Sequence, residues 1–215
     1  VVVLRVVVVV VVGVVFVVVL VFVLVVVAVV VVVFVLLLLL PLFAFAPVRE
    51  KVYFKNNIYQ GYYSEKLEQP LEVQYTVMCP NGTAKRTGMD FFINDSIHTS
   101  DNNDYANNVY DKGHCAPAAD FNCTREMLLS TFSYLNCVLQ HQDLNRGAWR
   151  LLEQEERIWD DVQNLTITIE NIFEEGHEVL PTGGHIPTTM IKTIYFEQDG
   201  TCRKFVFPNQ KRFFK

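Results

Sequence analysis

Asp111-Lys112-Gly113-His114-Cys115-Ala116-Pro117-Ala118-Ala119-Asp120 is the stretch on which the reading of this chain turns. Gly113 leaves little crowding beside His114, so the imidazole can stand open to a substrate. Imidazole suits proton abstraction from water near neutral pH. Asp111 or a backbone carbonyl could set its tautomer, and residues Tyr105 to Tyr110 are expected to run into a short strand that delivers Asp111. Taken alone, such a histidine reads as an ordinary surface-loop residue.

Roughly thirty residues further on comes Asp143-Leu144-Asn145-Arg146-Gly147-Ala148-Trp149-Arg150-Leu151-Leu152-Glu153-Gln154-Glu155-Glu156-Arg157. Apolar residues at 144, 148, 149, 151, 152 and 158, with Glu and Arg between them, predict a helix. At 100° per residue, Trp149, Glu153 and Arg157 fall about 40°, 80° and 120° from Asn145. One face then carries an amide oxygen, a carboxylate and a guanidinium. Such a row can hold a hard divalent cation through oxygen and water, and can clamp a phosphate with arginine. The plainer reading is a solvated helix with a Glu153–Arg157 salt bridge.

Working outward, residues 71–78 alternate apolar and polar side chains, as a half-buried strand does. Residues 48–70 read as an irregular, Tyr-rich lead-in punctuated by Pro70. Cys79-Pro80-Asn81-Gly82 reads as a turn, and the Asn/Asp/Ser-rich stretch 89–110 as a surface loop. Residues 125–139 carry helix formers at Met127, Leu128 and Leu129. Asn164 to Ile172 alternates again with β-branched residues. Thr189 to Phe196 and Arg203 to Phe207 read as a closing pair of strands, with Asp199-Gly200 as the hairpin signal. The expectation is an α+β domain over residues 48–215.

Residues 1–46 are different material, dominated by Val and Leu, with Arg5 as their single charge. The apolar run exceeds the ~20 residues that a helix needs to cross a bilayer. Residues 1–47 are therefore expected to be a transmembrane or signal segment that tethers the chain to a membrane. Pro41-Leu42-Phe43-Ala44-Phe45-Ala46 resembles the end of a signal sequence, though Pro47 disfavours cleavage there. Four N-x-Ser/Thr sequons, at Asn81, Asn94, Asn122 and Asn164, favour a lumenal or extracellular glycoprotein domain, either membrane-anchored or secreted. Of the five cysteines none forms a CxxC pair, so the spacing leaves the pairing open among up to two disulfides. A zinc site from His114, Cys115 and Cys123 matches no standard spacing. The chain has 18 basic and 23 acidic residues, a net charge of −5. If it grips nucleic acid, it needs a local basic face on an acidic body, because phosphate binding is driven largely by cations.

Taken together, the two quoted stretches resemble the DNA/RNA non-specific endonuclease family, the ββα-metal nucleases. Its pattern of D-R-G-H and A-P-A, then L-N-x-x-A-W, L-E and Arg, is met here by Asp111-x-Gly113-His114, Ala116-Pro117-Ala118, Leu144-Asn145, Ala148-Trp149, Leu152-Glu153 and Arg157. Thr131-Phe132, Asn136 and Gln140 match between them, and His185-Ile186-Pro187-Thr188 with Lys192 match downstream. The resemblance implies a ββα-metal fold, an antiparallel sheet with a long metal-bearing helix. It implies metal-dependent hydrolysis of DNA and RNA with little sequence specificity, leaving 5′-phosphate and 3′-hydroxyl ends. By the same resemblance, His114 is the general base and Asn145 the one direct ligand of Mg2+, with Mn2+ as a substitute. Glu153 orders water around the ion, Arg157 and Arg86 act on the phosphate, and Lys112 and Arg146 bind substrate. Homodimers also occur in the family. The family's second-position Arg is Lys112 here, which keeps the charge but loses the bidentate fork. The alternative is an inactive relative that binds nucleic acid or a protein partner.

Overall fold

The computed structural model describes residues 20–34 and 48–211. The chain divides at Pro47/Val48 into two units, each described by itself. In the first, residues 20–34 form helix α1 with its side chains exposed. The remainder of the expected membrane segment lies outside the described residues. No helix among the described residues is long and apolar enough to cross a membrane.

The second unit is an α+β fold around a six-stranded antiparallel sheet. Its strands are β1 (Val52–Lys55), β2 (Tyr59–Ser64), β3 (Gln69–Thr76), β6 (Leu165–Ile172), β7 (Thr189–Phe196) and β8 (Thr201–Pro208), in that spatial order. A separate antiparallel pair, β4 (Tyr110–His114) with β5 (Cys137–His141), lies in the chain between β3 and β6. Helix α2 spans Arg125–Ser130. After β5 come α3 (Gln142–Leu144), a wider turn over Asn145–Trp149 and α4 (Arg150–Asp160).

The expected strands at 71–78, 164–172, 189–196 and 203–207 are present within a few residues, with Gly200 at a positive φ of 64° in the last hairpin. Alternation explains why they were readable: β6 buries every second residue from Leu165. Val73, Tyr75, Ile167, Ile169, Met190 and Ile194 form one core cluster with Trp149 and Leu152 of the helical segment.

Two expectations need correction. Residues 48–70 are not irregular: they hold the β1–β2 hairpin and the start of β3. Its turn is closed by Asn56, whose Oδ1 accepts from the backbone N–H of Ile58 and Tyr59 at 2.9 and 2.8 Å. Pro70 lies inside β3, beside a register shift between Tyr62 and Tyr63. Second, the helix-forming residues around 127 yield only the short α2, and 137–141 is a strand. All five residues of β5 are buried, so it shows no alternation to read. Of the pairings the spacing left open, one disulfide forms, Cys79–Cys123, while Cys115 and Cys137 are buried thiols and Cys202 an exposed one. With Cys123 so engaged, the His114–Cys115–Cys123 zinc arrangement is not built.

Candidate active site

Strand β4 places Asp111, Lys112 and His114 beside the helical segment. Its pairing with β5 sets Gly113 against Val138 and His114 against Cys137. Glycine at 113 answers to a close approach: a Cβ there would stand 2.5 Å from Gln140 Oε1 and 2.6 Å from Gln140 Cβ.

His114 is half-buried between two aromatic rings, Phe91 at 4.9 Å and Phe132 at 5.1 Å between centroids. Its Nε2 is shut off from solvent and has no hydrogen-bond partner. Burial, and secondarily the positive charge of Arg86, pull the imidazole pKa down to about 3. The ring is therefore neutral at physiological pH. Asp111 does not orient it, as the sequence had suggested. Asp111 instead reaches the helical segment, where Oδ2 accepts from Asn145 Nδ2 at 2.9 Å and from Arg146 Nε at 2.8 Å. Oδ1 accepts from Arg146 Nη2 at 2.6 Å. Burial works to raise the Asp111 carboxyl, but the bonds from Arg146 and Asn145 outweigh it and hold the group below the usual range. A carboxylate can only accept, so the Asn145 amide nitrogen faces Asp111 and its oxygen is left for another partner.

The helix is not the straight one assumed from the sequence. Gly147 has non-helical angles, φ −106° and ψ −113°, inside the widened turn. Trp149 accordingly leaves the cleft face. It is fully buried, 5.6 Å from Phe207 and with Lys192 Nζ 4.3 Å over its ring. Asn145, Glu153 and Arg157 still share one face of the cleft. Burial raises the Glu153 carboxyl, and the Lys192 charge pulls against it. Arg157 Nη1 donates to Asp120 Oδ1 at 3.0 Å. Asp120 is fully buried, and burial pushes it up to about 7 despite that arginine.

A cavity of about 480 Å³ joins these groups. It is lined by Arg86, Lys112, His114, Asn145, Arg146, Glu153 and Arg157, every site residue expected from the sequence, together with Pro117, Ala118, Ala119, Arg150 and Gln154. Five of these residues are cationic and one, Glu153, is acidic. The acidic chain thus carries the local basic face that nucleic-acid binding requires. Arg86 reaches it from an exposed loop that Arg125 braces through the carbonyls of Lys85 and Thr87. Lys112 points partly elsewhere, with Nζ donating to Asp90 at 3.3 Å and to Asn102, and lying 5.2 Å over Phe91.

The sequence reading missed Asp120 and Arg150. Asp120 closes the quoted ten-residue stretch, but nothing local ties it to Arg157. Arg150 lies one helical turn after Arg146, and that spacing could have flagged it.

The profile of the DNA/RNA non-specific endonuclease family matches residues 46–214, so the chain belongs to that family. Among its relatives, mitochondrial endonuclease G of Bos taurus is 33% identical over 95 residues, and that of Homo sapiens 32% identical over 95 residues. Each aligned stretch covers 43% of this chain and 30% of the relative's length. The fold superposes on a crystal structure of an EndoG/EndoGI complex with a TM-score of 0.67 and 25% identity, covering 77% of this chain and 76% of the other.

Proposed function

We propose that the chain is a divalent-metal-dependent endonuclease that hydrolyses phosphodiester bonds of DNA and RNA with little sequence preference, its β4, β5 and following helix forming a ββα-metal motif. The observation that carries this reading is the convergence of His114, Asn145, Glu153 and Arg157 on one cation-lined cavity.

The donor set fits a hard cation. Asn145 offers an amide oxygen because its nitrogen is committed to Asp111, and Glu153 offers a carboxylate. Among the described residues no cluster of three or more His, Cys, Asp or Glu could hold a metal. A Mg2+ or Mn2+ ion here would thus keep mostly water around it, as Mg2+ prefers. Asn145 would hold the ion and Glu153 would order its waters. When bound, the ion supplies Lewis-acid stabilisation of charge on the phosphate and leaving oxygens.

The chain's own groups supply the rest. Neutral His114 takes the proton of the attacking water. Because Nε2 is closed off, that proton goes to Nδ1. Arg157, tethered by Asp120, and Arg86 bind the non-bridging oxygens and the charge that develops on them. Lys112 and Arg146 hold the flanking backbone.

The reading extends to placement. Residues 1–47 tether the nuclease unit to a membrane or direct its export, which the apolar composition supports. The Cys79–Cys123 disulfide supports a lumenal or extracellular site, since such bonds persist in oxidising compartments.

The direct test is to incubate the full-length protein with plasmid DNA and with RNA, in Mg2+ or Mn2+ and in chelator. Cleavage of both with metal and of neither in chelator is the expected result. Intact nucleic acid in both metals contradicts the reading.

A further inference from the structure

Arg150 lines the same cavity and has no part in the chemistry above. Its Nε donates to Arg146 O at 3.1 Å, which draws the side chain toward the start of the helix and leaves the two terminal nitrogens free. Lys112, Arg146 and Arg157 each have a carboxylate partner, Asp90, Asp111 and Asp120 respectively. Arg150 has none among the described residues, and it is exposed. Five cations around one cleft repel one another, and an anion resting among them relieves that repulsion.

Arg150 and Arg157 lie seven residues apart, about 10 Å along a helix axis. Arg150 is drawn toward Arg146 O, at the start of the helix and away from Arg157, which is held at Asp120 Oδ1, and this arrangement favours two phosphate contacts over one. His114, Asn145, Glu153 and Arg157 together mark where the reacting phosphate would lie.

We propose that Arg150 docks a backbone phosphate neighbouring the scissile one and so forms a second phosphate contact point in the cleft. This rests on the nuclease reading above. A guanidinium fork suits the site, since it offers two parallel donors to a phosphate. The contact is to backbone, so it adds affinity for any sequence and carries no base preference.

Two measurements on the full-length protein test it, each comparing wild type with Arg150→Ala and Arg150→Lys. The first is binding of a short labelled DNA duplex in chelator over a salt series. Arg150→Ala is expected to weaken binding roughly tenfold at low salt and to lower the log–log salt slope by about one. Arg150→Lys should keep the slope. Unchanged affinity and slope in Arg150→Ala overturn the proposal. The second is the ratio of kcat/KM on a polynucleotide to that on a dinucleoside monophosphate, which has no neighbouring phosphate. That ratio should fall roughly tenfold in Arg150→Ala. An equal loss on both substrates overturns the proposal alone, because Arg150 would then act at the reacting phosphate. A wild type that cuts neither substrate overturns the nuclease reading and the proposal together.

Discussion

Asp111 joins the strand to the helical segment by accepting from both Asn145 and Arg146. Without it the Asn145 amide can rotate, and its oxygen is no longer aimed. Asp111→Ala is expected to weaken the apparent affinity for Mg2+ roughly 10–100-fold, read from the metal dependence of cleavage, with the circular dichroism spectrum retained. An unchanged metal midpoint would show that Asp111 does not position Asn145. His114 gives a second expectation. Its folded pKa of about 3 lies below the ordinary 6.5, so between those values the unfolded chain binds a proton that the folded chain does not. Stability contributed at His114 is therefore full above pH 6.5 and is lost as pH falls toward 3. Asp120 works the other way, since its pKa is raised to about 7 and it favours the folded state at acid pH. His114→Gln removes the first effect only. The drop in Tm on going from neutral pH to about pH 5 should be smaller in this variant than in wild type. An equal or larger drop would mean that His114 is not the shielded group described. The seven expected site residues that line the cleft could be named beforehand because the family resemblance rests on short motifs read directly along the sequence. The Asp120–Arg157 contact, across 37 positions, could not, because only the tertiary fold creates it.

The elements show the same division. Strands β3, β6 and β7 bury one face, so alternation betrayed them, and β8 alternates half-buried Phe205 and Phe207 with exposed neighbours. Strand β5 is buried on both faces, and its sequence offers no period to separate it from a helix. The widened turn at Gly147 escaped notice because a constant 100° step assumes a regular helix, and one residue with non-helical angles sends Trp149 inward. Trp149 then packs over Lys192, whose Nζ lies 2.8 Å from Glu156 Oε1, with both side chains at 0% exposure. Neither atom has another hydrogen-bond partner. Removing one member leaves a buried unpaired charge. Lys192→Met alone is expected to cost about 3–5 kcal/mol, while Lys192→Met with Glu156→Leu should recover most of it. Urea unfolding of the three proteins decides this: equal losses in the single and double variants would contradict it. The charges of Lys192 and Glu156 also act on the Glu153 carboxyl, so the pair links the sheet electrostatically to the cleft.

At the scale of the whole molecule, an acidic chain carries one basic cleft. Net charge alone argues against nucleic acid as a partner, and only the placement of Arg86, Lys112, Arg146, Arg150 and Arg157 around one cavity reverses that argument. That placement joins a loop, a strand and a helix, which is why composition could pose the requirement but not meet it. The central claim is that this cleft hydrolyses nucleic acid with His114 as its base. The most direct test is cleavage of plasmid DNA in Mg2+ by wild type and by His114→Ala, both shown to be folded by circular dichroism. A loss of at least about 100-fold in the variant is predicted. Cleavage by His114→Ala at the wild-type rate would contradict it.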